Sequence, residues 1–184
     1  MLALIPINAA FGGVQFNLGA YMADLGHDQS LAAKLIAVTS LMMITGKLFF
    51  GAMGDRIDHR KLYWIMASLL VVALFFYQGS PGKADLILAA GIQGFATGGV
   101  MPMMGIMYSA RFGTLSFGRV LGYVNLVLMF GSFGSIFSGW VFDSTQSYDV
   151  AFWIFMALIL PGMIIMFFLP PPDTERNMSA TERV

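Results

Sequence analysis

The fold class this sequence predicts is an all-α membrane protein with six transmembrane helices, and three observations predict it. Hydrophobic residues make up 58% of the 184 and charged residues only 11%, with a mean hydropathy of +0.76, which is too little charge to cover a soluble globule of this size. Six apolar stretches are each long enough to cross a hydrocarbon core of about 30 Å, which takes about 20 helical residues. The basic residues fall mostly on alternate loops, as the topology of a multi-pass chain requires.

The helices are expected near 2–24, 31–53, 62–78, 85–109, 119–142 and 150–169, with a tail over 170–184. The first reads as a true span beginning almost at Met1. No basic region precedes it, and Pro6, Asn8, Gln15 and Asn17 interrupt its apolar run, so it is a poor signal peptide. The second is apolar except for Lys47 and runs into the charged loop 54–61. The third and sixth are almost wholly aliphatic, aromatic and Met through their middles, as lipid-facing helices need. The others carry stripes of small or polar residues at helical spacing: Ala10, Gly13, Asn17 and Tyr21 on the first; Gln93, Thr97, Met101, Met104 and Tyr108 on the fourth; Gly118, Gly122, Asn125, Met129 and Ser132 on the fifth. The order polar, polar, plain then occurs twice, which suggests two three-helix units. Gly94 and Gly98 form a GxxxG step, and Gly131, Ser135 and Gly139 a ridge for close packing. Gly98, Gly99 and Pro102 mark a place where the fourth helix bends, for packing or for gating.

Loops 54–61 and 110–118, the first residue of the helix that follows and the tail hold Arg56, Arg60, Lys61, Arg111, Arg119, Arg176 and Arg183, whereas the opposite side has only Lys34 and Lys83. The first group therefore marks the cytoplasmic side, and the C-terminus lies there. Trp140, Tyr148 and Trp153 then fall near the outer interface, and Tyr63 and Trp64 near the inner one, as an aromatic belt.

Several chemistries find no foothold. The absence of cysteine rules out disulfides and thiolate metal sites, and His27 and His59 sit in expected loops without metal-ligand spacing. There is no Ser/His/Asp set, no HExxH and no phosphate-cradling loop, and the glycine-rich run 94–99 lies inside a span, so no enzyme and no cofactor are implied. Basic nucleic-acid surfaces are absent as well.

Lys47 is eight residues from Asp55, roughly 12 Å up its helix. A cation there is costly, so it snorkels or pairs with Asp55, or it faces a wet interior and attracts an anion. No carboxylate matches its depth, since Asp24, Asp55, Asp85, Asp143 and Asp149 all sit at helix ends.

The loop after Lys47 resembles the signature loop of the major facilitator superfamily, GxxxDRxGRRK in outline. Gly51, Asp55, Arg56, Arg60 and Lys61 match; Asp58 replaces a usual glycine and His59 a usual arginine. Arg111-Phe112-Gly113 with Phe117-Gly118-Arg119 and Gly122 is similar to the fourth-to-fifth loop in the C-terminal half of monocarboxylate and oxalate/formate carriers of that superfamily. Gly139-Trp140-Val141-Phe142-Asp143 with Ser147-Tyr148 is similar to the end of the fifth helix of that half, and Asn17-Leu18 with Tyr21 and Asp24-Leu25-Gly26 to the end of the first. The resemblance implies one half of a major facilitator fold, built of two three-helix repeats. It also implies that Gly51, Asp55, Arg56, Arg60 and Lys61 act as a conformational latch rather than as an ordinary basic loop. Lys47 stands where monocarboxylate carriers have a substrate-binding arginine, and Met43 where some have an acidic residue one turn earlier.

The expected function is transport of a small organic anion, monocarboxylate-like, by symport or antiport across a plasma or bacterial inner membrane. Lys47 would attract the anion, while Asn17, Tyr21, Gln93, Tyr108 and Asn125 would supply hydrogen bonds. Such carriers rock two halves about a central site. The expected partners are therefore membrane lipid, the anion, and either a missing N-terminal six-helix half or a second copy of this chain. A channel-forming oligomer and a non-transporting membrane partner are the alternatives.

Overall fold

Apolar runs in lipid must satisfy every backbone hydrogen bond internally, and the chain does so as helices. The computed structural model describes residues 4–54, 56–112 and 117–168, and among these there is no strand. In order come α1 (Leu4–Gln15), α2 (Leu18–Asp24), α3 (Gln29–Gly54), α4 (His59–Phe76), α5 (Lys83–Gly98), α6 (Val100–Phe112), α7 (Phe117–Met129), a 3-10 turn over Phe130–Ser132, α8 (Phe133–Thr145) and α9 (Asp149–Phe168). Five helical stretches are long and apolar enough to cross a membrane: Gln29–Gly54, His59–Phe76, Lys83–Ser109, Leu121–Thr145 and Asp149–Phe168. The tail 170–184, Leu169, Gly113 and the side chains of Arg111 and Phe112 lie outside the described residues.

The expected first span is divided. Asn17 directs its amide N–H groups to Ser138 Oγ at 2.8 Å, the Ser135 carbonyl at 3.0 Å and the Gly13 carbonyl at 3.1 Å. Gly13 O is the acceptor that the Asn17 backbone N–H would use in an unbroken helix, so the side chain competes with the ladder and α1 stops at Gln15. The expected fifth span is interrupted by the same device. Asn8 of α1 donates to the Leu128 carbonyl at 2.9 Å, the acceptor an α-helix would give to Ser132, and the chain tightens there into the 3-10 turn. The fourth span breaks at Gly99, as its Gly-Gly-Pro run predicts: Pro102 has no N–H to offer Gly98, and Gly99 turns to the Ala96 carbonyl at 3.1 Å.

Caps move other boundaries. The third span begins at His59 rather than 62, because the Asp58 carboxylate accepts from the Arg60 backbone N–H at 2.8 Å. The same carboxylate takes the Arg60 guanidinium at 2.9 Å through Nε and 2.5 Å through Nη2. The fourth begins at Lys83 because Asp85 reaches back to the Gly82 N–H at 3.0 Å. Gly26 and Gly79, both at φ +72°, reverse the chain after the first and third spans.

Small residues set the packing. α3 lies against α5 so closely that a Cβ on Gly46 would land on the Phe95 backbone, one on Gly94 on the Thr39 backbone and one on Gly98 on the Met43 carbonyl. α1 meets α8 in the same way, with Gly134 against the Ala9 backbone and Gly13 against Gly134 O and the Phe155 ring. α4 packs on α5 and on α9, and α9 returns to α1. At one end Tyr21 meets Tyr77, Tyr148 and Phe152 edge to face with centroids 5.2–6.3 Å apart, while Phe152 lies tilted against Tyr77 and stacked on Tyr148. Tyr21 donates its hydroxyl to the Tyr77 carbonyl, and Gly79 N–H donates to Asp149 Oδ1 at 2.9 Å.

Two expectations about surfaces change. Trp64, Trp140 and Trp153 are exposed as belt residues, but Tyr63 and Tyr148 are buried. Tyr63 shares the face of Leu62, Met66 and Leu70 that packs inward, and Tyr148 joins the tyrosine cluster. The plain helices α4 and α9 each bury a face, whereas α3, the span with the lysine, is the least buried of the five and exposes Ile36, Leu41, Ile44, Leu48 and Phe49.

Gly94→Leu is expected to destabilise the chain by at least the roughly 1–3 kcal/mol of an overpacked core, since the obstacle is backbone and cannot rotate away. Gly105→Ala, where a Cβ meets nothing within 4 Å, is expected to be neutral or to stabilise by about 0.5–1 kcal/mol. Thermal unfolding in detergent checks both. The Arg60 guanidinium holds the Asp58 carboxyl below its usual range, against the opposing effect of burial. A depressed folded pKa means that the stabilisation is complete above the ordinary carboxylate range and is lost as pH falls through the lowered value. The stability gap between the wild-type chain and Asp58→Asn should therefore be widest near neutrality and shrink below pH about 4, as melts across pH will read.

Candidate functional site

A lysine in an apolar helix must find water, a counter-charge or a polar pocket. Lys47 stands seven residues before the end of α3, roughly 10 Å from that terminus. The close contact between α3 and α5 fixes its backbone: a Cβ on Gly98 would come within 3.0 Å of the Lys47 amide nitrogen and onto the Met43 carbonyl. Its side chain is exposed and borders a cavity of about 190 Å³. α1 contributes Ile7, Asn8 and Phe11 to the wall, α3 contributes Met43 and Lys47, and α5 with α6 contribute Thr97, Val100 and Met101. No carboxylate is among these described residues. The cavity is smaller than the roughly 300–1,000 Å³ of drug-sized sites, which suits a ligand of a few heavy atoms.

The polar groups in this cavity are partly committed. The Thr97 hydroxyl donates to its own helix, at 2.8 Å to the Gln93 carbonyl and 3.2 Å to Gly94 O, which leaves oxygen lone pairs outward. Asn8 spends one N–H on the Leu128 carbonyl, and among the described residues its second N–H and its carbonyl oxygen have no partner. Lys47 brings three N–H donors. The rest of the lining is aliphatic, aromatic or thioether.

The other residues singled out from sequence are distributed more widely. Gln93 lies one turn before Thr97, 1% exposed, and neither end of its amide has a partner among the described residues. Tyr108 on α6 is buried, its hydroxyl likewise without a partner there. The amide of Asn17 and the hydroxyl of Tyr21 are engaged within the chain, on α8 and on the Tyr77 carbonyl. Asn125 is exposed and donates to the Leu121 carbonyl of its own helix at 3.0 Å. Asn8 joins the lysine without having been selected, because in the sequence it reads only as an interruption of an apolar run.

Just before the loop 54–61, Gly51 of α3 is half-buried, its added Cβ reaching only Pro102 at 4.0 Å. Arg56 and Lys61 are exposed, and Arg60 is engaged by Asp58. Asp55 lies outside the described residues. His59 is buried, with Nδ1 3.8 Å from the Asp58 carboxylate. Asp58, at the usual glycine position, thus serves as a capping carboxylate.

The family model of the Major Facilitator Superfamily matches residues 1–183. The chain is similar to monocarboxylate transporter 13 of Rattus norvegicus, 27% identical over 175 residues that cover 92% of this chain and 40% of that protein. It is similar to monocarboxylate transporter 9 of Rattus norvegicus, 30% identical over 155 residues covering 78% and 29%. It is also similar to monocarboxylate transporter 14 of Mus musculus, 25% identical over 146 residues covering 78% and 28%. The chain thus spans two fifths or less of the length of these relatives. With its helices long enough to cross a bilayer, its resemblance in the loop after α3 and a family match over nearly its full length, this chain belongs to the major facilitator superfamily.

Proposed function

We propose that this chain forms one six-span half of a secondary carrier for a small organic anion of the monocarboxylate type, with Lys47 as the fixed positive charge that receives the carboxylate. The observation that carries this reading is the Lys47 cavity itself, which puts an ammonium and a spare amide N–H at one place in otherwise apolar walls. A short carboxylic acid has the complementary make-up, one anionic end on a small apolar body. The names of the relatives agree with that chemistry.

Packing supports the architecture. If α1 with α2 counts as the first span, the glycine contact between the second and fourth spans (α3 with α5) corresponds to that between the fifth and first (α8 with α1). Exchanging the first three spans for the last three turns one contact into the other, as two three-helix repeats demand. The broad exposed face of α3 supports a second bundle, a different half or another copy, closing over the Lys47 side. The basic end of the bundle, with Arg56, Arg60 and Lys61, is cytoplasmic in this reading, and its loop acts as the access latch.

In the two-bundle carrier, Lys47→Ala is expected to raise the KM for labelled lactate roughly 10–100-fold, the effect of losing a hydrogen bond to a charged group. Lys47→Arg, which keeps the charge but brings a bulkier planar fork, should restore part of the affinity. Unchanged affinity in the alanine variant would sink the assignment. The chain reconstituted as a proven monomer should show no saturable lactate uptake, because one bundle cannot alternate access. Gln93→Met separates packing from function: it should hold or raise thermal stability by roughly 1 kcal/mol, since an unpartnered buried amide is costly. Uptake should fall only if that amide meets the substrate in another conformation.

A further inference from the structure

A cavity larger than the one beside Lys47 lies elsewhere in the bundle. It is a groove of about 570 Å³ between the first turns of α4 and the last turn of α9, at the basic end of the bundle. Its walls are apolar: the Trp64 indole meets the Phe167 ring at 6.4 Å, edge to face, over a buried Met166. Its rim is charged. The Asp58 carboxylate there is neutralised by Arg60, with Nη2 to Oδ2 at 2.5 Å, while Lys61 is exposed and has no ion pair among the described residues.

The first turn of α4 holds no acidic residue; instead His59, Arg60 and Lys61 stand together where the helix end already carries partial positive charge. Asp58 offsets part of that. The remainder favours an anion, and the apolar trough running from the rim between two helices favours a hydrocarbon chain attached to it. Basic pockets between spanning helices at the membrane surface recognise anionic headgroups by this combination.

We propose that this groove binds an anionic glycerophospholipid, with its phosphate at Lys61 and the α4 terminus and an acyl chain along Trp64 and Phe167. The site is separate from the Lys47 cavity, and among the described residues the two share no lining. It holds whether or not Lys47 carries substrate, and on either side of the membrane.

The test is quenching of tryptophan fluorescence in the full chain reconstituted with brominated phosphatidylglycerol or brominated phosphatidylcholine in mixed bilayers. Trp64 is isolated as the difference between the wild-type chain and Trp64→Phe. Trp153, roughly 20 Å away along the axis of α9 from Phe167, and Trp140 serve as internal controls. Trp64 should favour phosphatidylglycerol roughly fivefold at low salt, about the effect of one basic group at an anionic surface, and the preference should fade at high salt. Lys61→Ala should abolish it, and Lys61→Arg should keep it. Equal quenching by the two lipids, or a preference indifferent to Lys61→Ala, overturns the proposal. So does protection of Trp64 from both lipids that is relieved by deleting 169–184, which would assign the groove to the chain's own tail.

Discussion

Lipid tails are as apolar as leucine, so helices in a bilayer gain little by burying leucines on one another, and they hold together where their backbones can approach. This chain depends on such approaches at two places, Gly46, Gly94 and Gly98 between α3 and α5, and Gly13 and Gly134 between α1 and α8. At each, the atom nearest the missing Cβ is backbone or a locked aromatic ring, so the spacing cannot be relaxed by a rotamer change. The consequence reaches the site directly. Lys47 occupies its position because Gly98 lets the α3 backbone, including the Lys47 amide, lie against α5.

Around these contacts, asparagines of the first span act as polar ties. Asn8 takes a carbonyl of the fifth span and Asn17 reaches Ser135 and Ser138, each at the expense of helical regularity. In water such exchanges are nearly neutral, but in hydrocarbon a lost backbone bond needs a replacement. The breaks at Asn17 and at Phe130–Ser132 are therefore satisfied junctions, and both lie where α1 crosses the fifth span. Membrane helix bends usually have such side-chain causes, and here the causes can be named.

The sequence made visible what depends on composition and local pattern. Five long apolar stretches, the Gly99 break and the GxxxG step at Gly94 and Gly98 all appear where hydropathy and Gly/Pro placement put them. Caps move the boundaries by two or three residues, since Asp58 and Asp85 act at the polar edges of the apolar runs that define a span. Hydropathy cannot tell Tyr63 from Trp64, adjacent aromatics that a helical turn of about 100° sends to opposite environments. Lys47 was conspicuous because charge in an apolar run is rare. Asn8 was not, because its meaning lies in Leu128 and Lys47, each on a different helix. Asn17 and Tyr21 stand out by polarity, and the structure shows the Asn17 N–H groups and the Tyr21 hydroxyl spent inside the bundle.

The choice of lysine over arginine follows from the cavity under the proposed reading. Arginine grips a carboxylate through two parallel bonds and needs its planar fork aligned with the ligand. A cavity of about 190 Å³ walled by Phe11, Met43 and Met101 leaves little room for that plane. An ammonium is compact, points its donors in three directions and can share a carboxylate with the spare N–H of Asn8. What it lacks in bidentate geometry it recovers in placement, because its backbone is pinned at Gly98 while its side chain stays on the open flank of α3. In that reading, a charge so placed can meet a ligand arriving from the flank that a second bundle would cover and is still within reach when that bundle closes, the condition for one site to serve both faces of a membrane.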